Sequence, residues 1–99
     1  MLNTICEAIS SKSLLALYYD GGVRVVEPHC YGITEDGNHG LQAFQVRGHS
    51  TSDTMGWKLF DLGRAANIVI LEEPFWRARP DYKRGEGMSR IYCELVIGV

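Results

Sequence analysis

The chain of 99 residues lacks any apolar run near the roughly 18 residues that a membrane-spanning helix requires. Its opening stretch, Met1 to Glu7, has no basic segment ahead of a long apolar one, so no secretory signal is expected. Cysteine is scarce. Cys6, Cys30 and Cys93 stand far apart and are odd in number, without the close C-x2-C pair of a structural zinc site. Nor do they reach the density of a disulfide-stapled secreted scaffold, and the expectation is reduced, partly buried thiols in a cytoplasmic protein. His29 and Cys30 form the one local metal-like pairing, but neighbours in a strand face opposite sides. No metal and no cofactor is therefore expected.

Catalytic signatures are missing as well. Neither Gly-x-x-x-x-Gly-Lys nor Gly-x-Gly-x-x-Gly occurs. The acid pairs Glu35-Asp36 and Glu72-Glu73 read as exposed turns. His49-Ser50-Thr51-Ser52-Asp53 contains the residue types of a triad, but adjacency in a loop does not make one, and turn formation explains the run. An enzyme would need an unexpected convergence of His29, His49 or Cys30, and none is expected. The net charge of −2 excludes bulk polycation behaviour and leaves room for a local basic patch.

What is present suits one soluble domain over residues 1–99. Apolar residues make up 45% of the chain and charged ones 22%, enough to bury a core and unlike a disordered segment. Leu2, Ile5, Cys6 and Ile9 recur at helical spacing, and Thr4 with Glu7 fits a capping box, predicting a short helix over about residues 3–11. Such a short helix must dock its stripe on other structure. The remainder reads as short strands between turn signals. Leu14–Tyr19 ends at Asp20-Gly21-Gly22, a hairpin turn. Val23–Ile33 is interrupted by Pro28, which marks an edge, bulge or bend, and by Gly32. After Glu35-Asp36-Gly37-Asn38 come Leu41–Val46, a polar stretch over 47–56, Trp57–Leu62, Asn67–Leu71 and a terminal Ile91–Val99. Such spacing predicts a small barrel or sandwich. Phe44, Trp57, Phe60 and Leu62 are expected in the core.

The order of these segments, Leu14–Tyr19, Gly22-Val23-Arg24-Val25-Val26-Glu27-Pro28, Leu41–Val46 and Trp57–Arg64, resembles the WYL domain. That resemblance covers roughly residues 5–75. His39-Gly40-Leu41 stands where the tripeptide that names the family would fall, and Lys58 where an arginine would. It implies a mainly β fold: a small SH3-like (Sm-like) five-stranded barrel over about 14–75, with a short N-terminal helix, then a basic loop and a terminal strand over 76–99. It also implies a regulatory, ligand-sensing module without the helix-turn-helix that often accompanies it, binding nucleotides or nucleic-acid fragments through Arg24, Lys58 and Arg64. Lysine at 58 keeps the charge but not the planar fork.

Two further groups bear on binding. Gln42 and Gln45 either face a pocket, with Gln45 the candidate ligand contact, or bridge strands on a solvent face. Trp76, Arg77, Arg79, Tyr82, Lys83 and Arg84 interleave aromatics with cations, as single-stranded nucleic acid requires. The same residues also suit a solvated loop whose aromatics anchor it to the sheet. The expected partner is a nucleotide or single-stranded nucleic acid. The alternative is an interaction or oligomerisation module, partnered by a second copy or a regulatory protein through the apolar tail Leu95–Val99.

Overall fold

A computed structural model describes residues 2–51 and 54–96. Helix α1 (Leu2–Ser11) precedes six strands: β1 (Ser13–Tyr19), β2 (Gly22–Thr34), β3 (His39–Gly48), β4 (Gly56–Asp61), β5 (Ala66–Pro74) and β6 (Met88–Glu94). They form one antiparallel sheet in the order β4-β3-β2-β1-β5, with β6 added to β2. The protein is mainly β, and no helix among the described residues is long and apolar enough to cross a membrane.

The helix forms where its apolar spacing predicts and buries Ile5, Ala8 and Ile9. It is already running at Leu2, so Thr4 lies inside it and the predicted capping box is not made. Its end is set by Lys12, whose left-handed φ of 53° lets its N–H donate back to Ile9 O at 3.2 Å. Cys6 on this helix is bonded to Cys93 on β6, which overturns the expectation that every thiol is reduced; Cys30 alone is free, and it is buried. Spacing gave no sign of this pair, because its partners are 87 residues apart and meet only when α1 packs beside β6.

Asp20 and Gly21, both at positive φ, make the two-residue β1–β2 turn, with Tyr19 facing Gly22. Long β2 then changes neighbours along one side, pairing with β1 through Val26 and with β6 from Cys30 onward. Pro28 sits at the handover, within a register shift against β3, where its missing N–H leaves no ladder bond unmade. Gly32 permits the close approach of β6: a Cβ there would lie 1.9 Å from Arg90 O.

A flat five-stranded sheet would hold β4 and β5 about 19 Å apart, whereas the three-residue 3-10 turn Leu62–Arg64 that joins them advances only about 6 Å. The sheet therefore curls. Its interior shows the result directly: Tyr19 of β1 packs edge-on against Phe60 of β4 at 5.0 Å, and its hydroxyl accepts from Asp61 N–H at 3.2 Å. Leu15, Leu17, Val26, Tyr31, Leu41, Ala43, Phe60 and Leu62 fill this inner side, together with the helix stripe.

Boundaries differ at several strands, β5 among them, which runs over Ala66–Pro74 where 67–71 is expected. β3 runs on to Gly48 and shortens the predicted 47–56 loop. Leu62 leaves the strand for the 3-10 turn. The last strand is β6, and the Leu95 that follows it is buried, its N–H donating to His29 O at 2.8 Å; Ile97–Val99 fall outside the described residues. Phe60 and Leu62 are core residues as expected, but Phe44 and Trp57 face the other side of the sheet, under the 75–82 segment.

Candidate functional site

The inner face of β2, β3 and β4 brings together three of the residues singled out in the sequence. Partners in a ladder point the same way, and so do residues two apart in a strand. Arg24 faces Leu17 and lies two residues before Val26; Val26 faces Gln45; Ala43, two residues before Gln45, faces Lys58. Arg24, Gln45 and Lys58 thus share the side lined by Leu15, Leu17 and Phe60. Of the two glutamines, only Gln45 turns inward, since Gln42 is three residues away and projects outward.

Each of these side chains is held by a neighbour. The Gln45 amide donates to Arg47 O at 3.2 Å and to His49 O at 2.8 Å, tying down the end of β3 and the loop after it. With its nitrogen so engaged, Oε1 faces the interior, buried and without a hydrogen-bond partner among the described residues. Lys58 Nζ meets Ser50 Oγ at 3.3 Å on that same loop. Arg24 is 4% exposed; its Nε donates to Tyr19 O at 3.3 Å, and its guanidinium lies 5.1 Å from the Tyr19 ring and 5.7 Å from Phe60. Among the described residues it has no carboxylate partner. Arg64, on the 3-10 turn, reaches the same tyrosine at 5.2 Å while pairing with Asp20. Two guanidiniums therefore converge on one aromatic ring, one of them buried and without an anion among the described residues. Burying a charge is costly unless something of opposite sign meets it.

On the outer face, the 75–87 segment is clamped by His29. Its Nδ1–H donates to Glu27 O at 2.8 Å and its Nε2 accepts from Arg79 N–H at 3.1 Å, so both ring nitrogens are occupied by the neutral tautomer. Phe75, Tyr82 and Trp57 enclose the ring. Burial pushes its pKa below the ordinary value, outweighing the opposing pull of Glu27. A metal would have to displace these bonds, and among the described residues no cluster of metal-ligating side chains exists.

The six residues of the cation–aromatic segment separate into two groups. Arg79 forks onto Glu27 at 2.7 and 3.0 Å and lies 3.9 Å from the Phe44 ring. Arg84 pairs with Glu94, and Tyr82 stacks on Trp57 with its hydroxyl directed at His29 O, 3.4 Å away. These three hold the segment down. Trp76, 85% exposed, remains on the surface with Arg77 and with Lys83, which sits 3.9 Å from Glu86. His49 packs its ring over Gly21 and Gly22, and the Ser52 and Asp53 of its loop lie outside the described residues.

Sequence reasoning missed His29 as the clamp, Glu27 as the partner of Arg79, and Tyr19 as the ring on which two arginines meet. No local pattern signals them, because the contacts span 50, 52 and 45 residues for His29–Arg79, Glu27–Arg79 and Tyr19–Arg64. No protein-family model, no curated protein and no solved structure matches this chain.

Proposed function

We propose that this protein is a non-catalytic, ligand-binding regulatory module of the WYL type, taking a nucleotide or a short single-stranded nucleic acid at the end of the curled sheet. The observation that carries the reading is Arg24: a buried guanidinium without a carboxylate among the described residues, on the same inner face as Lys58 and Gln45 and sharing a tyrosine with Arg64. A phosphate would supply the missing anion, and the orphaned Gln45 oxygen would accept from a sugar hydroxyl or base N–H. The N-terminal helix, the strand order and the short β4–β5 connection support closure of the five strands as a small SH3-like barrel.

Calorimetric titration with nucleotides, and anisotropy with labelled oligonucleotides, at two salt concentrations tests this. Binding should weaken as salt rises, and Arg24→Met should weaken it about tenfold or more, the loss of one charge-assisted contact. Because the substitution removes a buried charge, its thermal midpoint should not fall. Absence of binding at low salt, or binding unaffected by Arg24→Met, overturns the reading.

A second reading, an interaction or oligomerisation module, draws on the outer face of β5, β1 and β2. Val69, Tyr18 and Val23 are exposed there on three adjacent strands, with Tyr18 opposite Val23 and Val69 opposite Ala16.

A further inference from the structure

The outer face of β3 and β4 carries a second feature, independent of the cationic end. A cleft of about 540 Å³ lies between these strands and the 81–87 segment, with Gln42, Trp57, Leu59, Asp81, Lys83 and Glu86 in its walls. That volume is within the range of small-molecule sites. Gln42 faces Leu59 and Trp57 faces Phe44, so Gln42 and Trp57 are diagonal neighbours on one face, close enough for long side chains to act on one ligand.

Two polar atoms of this wall are left open. Gln42 is 7% exposed, and its amide nitrogen donates to Lys83 O at 3.0 Å, which sets the orientation of the group. Its Oε1 is consequently an acceptor, buried with no hydrogen-bond partner among the described residues, and Trp57 Nε1 is a donor in the same condition. Leaving such groups unmade is costly, and native interiors rarely tolerate it without a reason. A single partner that satisfies both must present an N–H beside a C=O.

The surroundings narrow the class further. Trp57 is stacked on Tyr82 and meets His29 and Phe44 edge to face, so its ring is already occupied by aromatic neighbours and stacking is not what it offers a ligand. Leu59, half exposed, offers apolar contact. Asp81 and Glu86 outnumber Lys83 in the cleft walls, which gives a phosphate no advantage. We propose that this cleft binds a neutral planar heterocycle by a lactam or imide edge, as in uracil, with Gln42 Oε1 accepting its N–H and Trp57 Nε1–H donating to its C=O. Both atoms lie behind the cleft surface, so entry requires the wall at Glu86 and Gly87 to shift outward while Lys83 O keeps its bond to the Gln42 amide.

The test uses the full chain with Trp76→Phe, which leaves Trp57 as the sole indole of the two tryptophans in the sequence. In ¹⁵N–¹H correlation spectra, uracil should shift the indole N–H peak saturably, while inorganic phosphate should leave it in place. 1,3-Dimethyluracil, which has no N–H to give, should bind at least about tenfold more weakly. Gln42→Met, close in shape but without the acceptor, should weaken uracil to a similar extent; if that variant does not fold, the methylated analogue on the Gln42 protein decides alone. A peak that uracil does not move, that phosphate moves, or that uracil and its dimethyl analogue move with equal affinity overturns the proposal.

Discussion

At the scale of single residues, His29 shows how one side chain couples distant parts of the chain. It accepts from the backbone of Arg79, donates to the carbonyl two residues before it, and is enclosed by three aromatic rings. Burial holds its pKa below the ordinary 6.5. In the unfolded chain the ring would protonate near that ordinary value. Above about pH 6.5 both states are neutral and the contribution to stability is complete; as pH falls below it, the unfolded chain takes the proton first and stability is lost. Urea midpoints should therefore fall between pH 7 and pH 5. His29→Gln should be less stable at pH 7 by about 2 kcal/mol, through lost packing and an unmet Arg79 N–H, and its midpoint should fall less across the same window. Equal slopes for the two proteins would show that other groups set the pH response.

Among the elements, α1 depends most on its attachments. Ten residues make a marginal helix alone, and its stripe of Ile5, Ala8 and Ile9 has to be held against the sheet. The Cys6–Cys93 bond does this by joining the first element to the last strand. Closing a loop of this size lowers the entropy of the unfolded chain, a contribution of about 4–5 kcal/mol in the chain-entropy model. Reduction, or Cys6→Ser with Cys93→Ser, should lower the denaturation midpoint and loosen the helix first, seen as faster amide exchange at Ile5 to Ile9 than in β2 and β3. Thiol quantification under denaturing conditions should find one reactive cysteine, Cys30, before reduction and three after it.

On the scale of the whole molecule, the curl of the sheet separates two environments on opposite sides of the same strands. Arg24, Gln45 and Lys58 face inward, while Gln42, Phe44 and Trp57 face outward. The exposed face of β5, β1 and β2 bears on assembly. If it mediates self-association, size-exclusion chromatography with light scattering should show a dimer or larger species, converted to monomer by Val23→Asp with Val69→Lys. A monomer at every concentration removes that reading. Truncation of the tail is a poorer test than the sequence suggests, because Leu95 is 3% exposed and belongs to the core.

The mainly β class, the helix, the hairpin at Asp20-Gly21 and the irregularity at Pro28 were legible in the sequence, because each follows from local periodicity or from the backbone limits of one residue type. Gln42 and Gln45, given one shared pair of alternatives from the sequence, fall on opposite faces of β3. Which face is inner, that Cys6 meets Cys93, that Arg79 and Arg84 find acids while Arg24 among the described residues does not, and that Gln42 and Trp57 keep open polar atoms were decided only by tertiary structure. These outcomes depend on how far the sheet curls and on contacts between residues tens of positions apart, and local sequence patterns carry no record of either.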